Sequence, residues 1–100
     1  MPYMRAELVL REKVIDEAGN ILEMAIWRVP KTPKTPEGVR YRLAYILTGE
    51  GQPAVLYDNH HPKGHHRHFR GTEAPYEFQG VDRLIEDFKG DISRLKGVKP

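Results

Sequence analysis

Apolar and polar residues alternate through most of the first half of this chain, and a period of two is buried only as a strand with one face inward. In the first run Ala6, Leu8 and Leu10 fall on one side, with Glu7 and Arg11 on the other. Asp16-Glu17-Ala18-Gly19-Asn20 is a turn cluster. After it, Leu22, Met24 and Ile26 share a face, and Glu23, Ala25, Trp27 and Val29 take the opposite one. Two such runs joined by a short Gly/Asn turn predict an antiparallel hairpin. A third run sets Tyr41, Leu43, Tyr45 and Leu47 against Arg40, Arg42, Ala44 and Ile46, and a short fourth strand covers Ala54 to Asp58 after the turn Gly49 to Pro53.

Between the second and third runs, PKTPKTPEG cannot be a central strand or a helix, because three prolines remove three backbone donors and fix φ. It reads as a long cationic hairpin connection. Thr72 to Pro75 reads as a link after the fifth segment. The last segment changes period. Val81, Leu84, Ile85, Phe88, Ile92 and Leu95 form one helical stripe, with Asp82 at the positive end of the dipole and Gly97 as a stop. The spacing predicts a helix from about Gly80 to Leu95. The expected architecture is α+β: an antiparallel β-meander of four to five strands with one C-terminal helix packed on one face. One hundred residues suit a single domain, 1–100.

The composition bounds the function classes. No cysteine is present, which excludes disulfides, zinc ribbons and thiol catalysis. The opening MPYMRAELVL lacks the apolar run of a signal peptide, and no segment approaches the ~20 apolar residues of a membrane span. A soluble cytoplasmic protein with no membrane association is expected. The net charge of +2 permits a nucleic-acid partner without requiring one.

Functional potential concentrates in Tyr57 to Gly71, YDNHHPKGHHRHFRG. All five histidines, His60, His61, His65, His66 and His68, lie there, interleaved with Lys63, Arg67 and Arg70, and Asp58 is the one acid. Imidazole titrates near neutrality, at roughly 6.5. If Gly64 to Arg70 is extended, His66, His68 and Arg70 share one face, and His65, Arg67 and Phe69 the other. Phe69 is the apolar member, so its face turns inward and His66, His68 and Arg70 face out.

Two imidazoles and a cation supply what RNA transesterification needs. One base takes the 2′-hydroxyl proton, one acid protonates the leaving 5′-oxygen, and a cation stabilises the phosphorane. On this reading His66 and His68 are acid and base in an unassigned order, and Arg70 or Arg67 stabilises charge. Asp58 or Tyr57 orients a ring, while Lys63, His60 and Arg42 bind substrate. No cofactor is called for. A metal reading uses the same residues, with His66 and His68 chelating and Asp58 plus His60 or His61 completing the shell. Lys63, Arg67 and Arg70 oppose it by adding positive charge beside a cation. A third reading is a polar loop whose histidines only bridge backbone groups, in a non-enzymatic module that binds nucleic acid or protein. Trp27 reads as a core or interface anchor ahead of a base-stacking platform, and Tyr41 and Tyr45 as core.

YDN followed by PKGHHRH, then PYEF and VDRLIEDFKGDI, resembles the TumE-type toxin components of bacterial and archaeal toxin–antitoxin operons. RAELVLREKVIDEAGNILEMAIWRVP and YRLAY are similar to that group too, so the resemblance spans nearly the whole chain. Its core motif, Tyr-Asp ahead of His-[Arg/Lys]-His, maps to Tyr57, Asp58, His66, Arg67 and His68. A member pattern with Asp-His-Arg-His at His65-His66-Arg67-His68 implies that His65 is a weaker candidate for catalysis than His66 and His68. The resemblance implies a small growth-arresting toxin neutralised by a co-encoded antitoxin, often a helix-turn-helix protein. The RNA substrate follows from the residue chemistry, and a homodimer is left open.

Overall fold

The computed structural model describes residues 6–97, so the first five residues of the N-terminal run lie outside it. The alternating runs become β1 (Glu7–Ile15), β2 (Ile21–Arg28), β3 (Val39–Ile46), β4 (Val55–Asp58), β5 (His66–Phe69) and β6 (Thr72–Pro75), followed by α1 (Val81–Leu95). The strands form one antiparallel sheet in sequence order. The α+β meander with one C-terminal helix is therefore present, with six strands among the described residues instead of four to five.

The added strand is β6, where a link was expected. Arg70 and Gly71, at φ 49° and 84°, make a two-residue turn that pairs Phe69 with Thr72. Positive φ at both central residues is the type I′ arrangement, whose twist matches that of the flanking strands. Gly71 accepts it without steric cost, whereas Arg70 is held there against its preference. Pro75 closes the outer strand, where a missing N–H is tolerated.

Strict alternation also fails once, in β1. Leu8 pairs with Trp27 and Leu10 with Ile26, so the register shifts at Val9. The bulge puts Leu10 on the side of Ile26 and leaves Leu8 beside Trp27, so the two leucines do not share a face as the pattern predicted.

The core forms between α1 and one face of the sheet. Ile26, Leu43, Val55 and Tyr57 meet Leu84, Phe88 and Ile92, all buried, and Ile85 and Leu95 pack at the margin. Leu84, Phe88 and Ile92 recur every four residues and so lie on one side of the helix. Each such side chain contributes about 1.5–3 kcal/mol when fully buried. Tyr41 and Tyr45 are buried on the same face, as expected. Among the described residues the other sheet face has no helix over it. No described helix is long and apolar enough to cross a membrane.

Candidate functional site

Residues directly opposite on neighbouring strands share a face. Arg42 stands opposite Asp58, and Asp58 opposite His66, so these three form a row across β3, β4 and β5 on the face away from α1. The neighbouring row runs Ala44, Leu56, His68, Glu73. His66 and His68, two residues apart, bring their rings to a centroid separation of 5.5 Å at 71°.

The two imidazoles are held differently. His66 is only 8% exposed, more enclosed than the outward placement predicted from alternation. Its Nδ1 lies 2.8 Å from the Gly64 carbonyl oxygen. A carbonyl only accepts, so Nδ1 carries a proton, and in the neutral ring Nε2 holds the lone pair. His68 is partly exposed, and its Nε2 lies 3.2 Å from Glu73 Oε1. The Lys63 ammonium donates to that same oxygen at 2.7 Å. This hydrogen bond, outweighing partial burial and joined by the charges of Lys63, His68 and His66, holds the Glu73 carboxyl below the ordinary carboxylate range. Glu73 is thus a fixed anion that faces one nitrogen of His68 and leaves Nδ1 for a ligand. The sequence reading missed Glu73. Its signal was Arg70-Gly71: a two-residue turn there sets His68 opposite Glu73.

Asp58 does not hold a histidine ring. Its Oδ1 accepts the backbone N–H of His60 at 2.6 Å, which shapes the loop after β4. The His60 ring instead lies 3.5 Å from Arg40 Nη2. Arg42 shares the row of His66 and Lys63 reaches Glu73 beside His68, whereas His60 lies with Arg40 beyond that row.

Tyr57 and Arg67 lie away from the open face. Alternation turns both toward α1. Tyr57 is fully buried and donates its hydroxyl to Asp91 Oδ2 at 2.5 Å. Arg67 Nη1 lies 3.8 Å from the same oxygen, and Arg94 pairs with the other one. Burial, opposed by the Arg67 charge, pushes the Tyr57 hydroxyl up to about 12, which keeps it a donor at neutral pH. These residues anchor the helix to β4 and β5 from behind the site. Arg70 leaves the line of His66 and His68 because its φ of 49° ends the extended backbone on which the shared face rested. His65 faces the helix side in a cluster with Tyr41 and Phe78, its ring centroid 5.6 and 4.9 Å from theirs and theirs 5.7 Å from each other. Its Nδ1 is 2.8 Å from the Tyr41 hydroxyl, and its Nε2 is 3.0 Å from Glu37. Both nitrogens are engaged in packing contacts.

Among the described residues, no three histidine, aspartate or glutamate side chains gather as a metal-ligand set. The arrangement offers two imidazoles with fixed and different partners, one lone-pair nitrogen, one carboxylate-backed ring, and cations at Lys63 and Arg42.

The chain matches the family model described as Toxin TumE over residues 3–96, and it belongs to that family. It is accordingly the toxin component of a toxin–antitoxin system, with a cognate antitoxin as its partner. No curated protein and no solved structure matches it.

Proposed function

We propose that this TumE-family toxin is a metal-independent endoribonuclease whose acid–base pair is His66 and His68. The single observation that carries the reading is the pair itself: two rings 5.5 Å apart on the helix-free face, one backed by a carbonyl and the other by a carboxylate. Those partners also suggest an order. His66 Nε2, with its lone pair free, takes the proton of a ribose 2′-hydroxyl. The 2′-oxygen attacks phosphorus and the bond from phosphorus to the 5′-oxygen breaks. His68, as an imidazolium facing Glu73, gives its proton to that leaving oxygen. The products are a 2′,3′-cyclic phosphate and a free 5′-hydroxyl. Each proton transfer is worth typically ~10²- to 10⁴-fold.

Charge on the phosphorane falls to Lys63 and Arg42, the cations grouped with the pair, in place of Arg67 and Arg70. Asp58 and His60 order the loop edge around the phosphate. The cognate antitoxin is proposed to block the same face with an acidic segment against Arg40, Arg42 and Lys63, and a helix-turn-helix protein is the expected bearer of that segment.

Purified chain incubated with RNA and excess EDTA tests the reading. Cleavage should persist, yield cyclic-phosphate ends, and follow a bell-shaped pH profile. His68→Ala should abolish it along with growth arrest, and His66→Gln should do the same. EDTA-sensitive cleavage, or full toxicity of His68→Ala, refutes the mechanism.

A further inference from the structure

The helix-free face carries a second feature beside the histidine pair. A groove of about 410 Å³ is lined by Trp27, Val29, Arg40, Arg42, Asp58 and His60. Arg42 and Asp58 also belong to the row that ends at His66, so groove and pair are continuous across the sheet. A smaller hollow adjoins it, sharing Val29 and Arg40 and reaching Lys34 and His61.

Trp27 lies outside the core. Its place opposite Arg40 and Leu8 turns it away from α1, where it is half-buried. Packing against the helix therefore does not account for a large aromatic at this position. Its surroundings are cationic: Arg40 and Arg42 line the groove with it, and the Arg11 guanidinium carbon sits 5.7 Å from its ring centroid. An aromatic plane among guanidinium groups matches single-stranded nucleic acid, in which each nucleotide offers one π-face and one anion. From Trp27 on β2 to His66 on β5 is three strand spacings across and two residues along, about 16 Å, a span of a few nucleotides.

We propose that this groove is the subsite for nucleotides flanking the cleaved phosphate of a single-stranded RNA, with a base stacked on Trp27 and phosphates held by Arg40 and Arg42. The proposal rests on the ribonuclease reading for its substrate. It adds that the substrate is single-stranded, because a base must leave its helix to lie on an indole.

Trp27 is the one tryptophan of the chain, so its fluorescence reports on the groove alone. The full chain carrying His68→Ala is titrated with a short single-stranded RNA, with the same sequence as a duplex, and with inorganic phosphate. Only the single strand should quench Trp27. With labelled RNA, Trp27→Ala should bind about 5- to 150-fold more weakly, the range for loss of one stacked base. Trp27→Phe should stay close to the parent, which separates stacking from loss of fold. Arg42→Gln should weaken binding and flatten its salt dependence. Quenching by duplex or phosphate, unchanged affinity of Trp27→Ala, or quenching by an acidic protein segment but not RNA overturns the proposal. Cleavage by the chain with His68 intact is followed in parallel. Binding through Trp27 without cleavage refutes the ribonuclease reading alone, and cleavage with an unchanged KM in Trp27→Ala refutes the groove alone.

Discussion

Tyr57→Phe separates anchoring from chemistry at a residue that the sequence motif places beside the site. The hydroxyl donates to a carboxylate that is 1% exposed, across 2.5 Å. Hydrogen bonds to charged groups contribute about 1.5–3 kcal/mol. Asp91 keeps Arg67 and Arg94 after the change, so it is not left bare, and the lower end, about 1.5 kcal/mol, is expected. In a domain of this size that lowers the melting midpoint by roughly 6–12 °C. Asp91→Ala should cost more. The buried Tyr57 hydroxyl would then have only the Asp87 carbonyl oxygen, at 3.4 Å, as an acceptor. Arg67 and Arg94 are 36% and 58% exposed and can turn to water, which limits the loss to about 2–3 kcal/mol. The double variant should fall short of the sum by about 1 kcal/mol, the mark of a shared interaction. Urea unfolding followed by circular dichroism measures all three. RNA cleavage per folded molecule should be retained in Tyr57→Phe, because the hydroxyl lies behind the sheet. A Tyr57→Phe variant with a wild-type midpoint and no cleavage would falsify this placement and put the hydroxyl in the reaction itself.

Glu73→Gln removes the anion facing His68 while preserving shape, and cleavage at neutral pH should fall about ten-fold or more, within the span of one proton-transfer group; unchanged single-turnover rates would show that Glu73 does not support the acid. For Asp87, partial burial raises its pKa, but the Tyr76 hydroxyl at 2.6 Å and Arg83 at 2.9 Å outweigh it, so the carboxyl sits below its ordinary 3.8. The native state thus binds fewer protons than the unfolded chain, and the contribution is full above pH 3.8 and lost as pH falls through the lowered value. Asp87→Asn should therefore be less stable than the parent at pH 7 and converge with it in strong acid. An undiminished gap at pH 2 would count against the linkage.

Much of the fold was legible because its signals are periodic. The stripe from Val81 to Leu95 named the helix within a residue of its start, and the alternation of β2 and β3 named the faces correctly. What was missed is local and aperiodic. The bulge at Val9 leaves no mark in an apolar run, since Leu8, Val9 and Leu10 suit either face. The turn at Arg70-Gly71 lacks the usual Asn or Asp in its first position, so β6 passed for a link, and Glu73 with it. Alternation did set His65 inward with Phe69, but could not say what it would pack against. Its cluster with Tyr41 and Phe78 depends on contacts 24 residues and more than a dozen residues away.

The strand His66–Phe69 shows why anchoring and chemistry are tied in this sheet. Its period of two sends His66 and His68 to the open face and Arg67 and Phe69 to the helix. Arg67 is tied to Asp91, and β5 is paired on both sides, by β4 and β6. The imidazoles therefore ride on a backbone fixed from behind, while the Gly64 carbonyl and Glu73 fix each ring from its own side. A strand of four residues slips by one only by exchanging both faces at once, turning both imidazoles toward the helix and exposing Phe69. The cost of that exchange holds the register, and with it the spacing of the two rings.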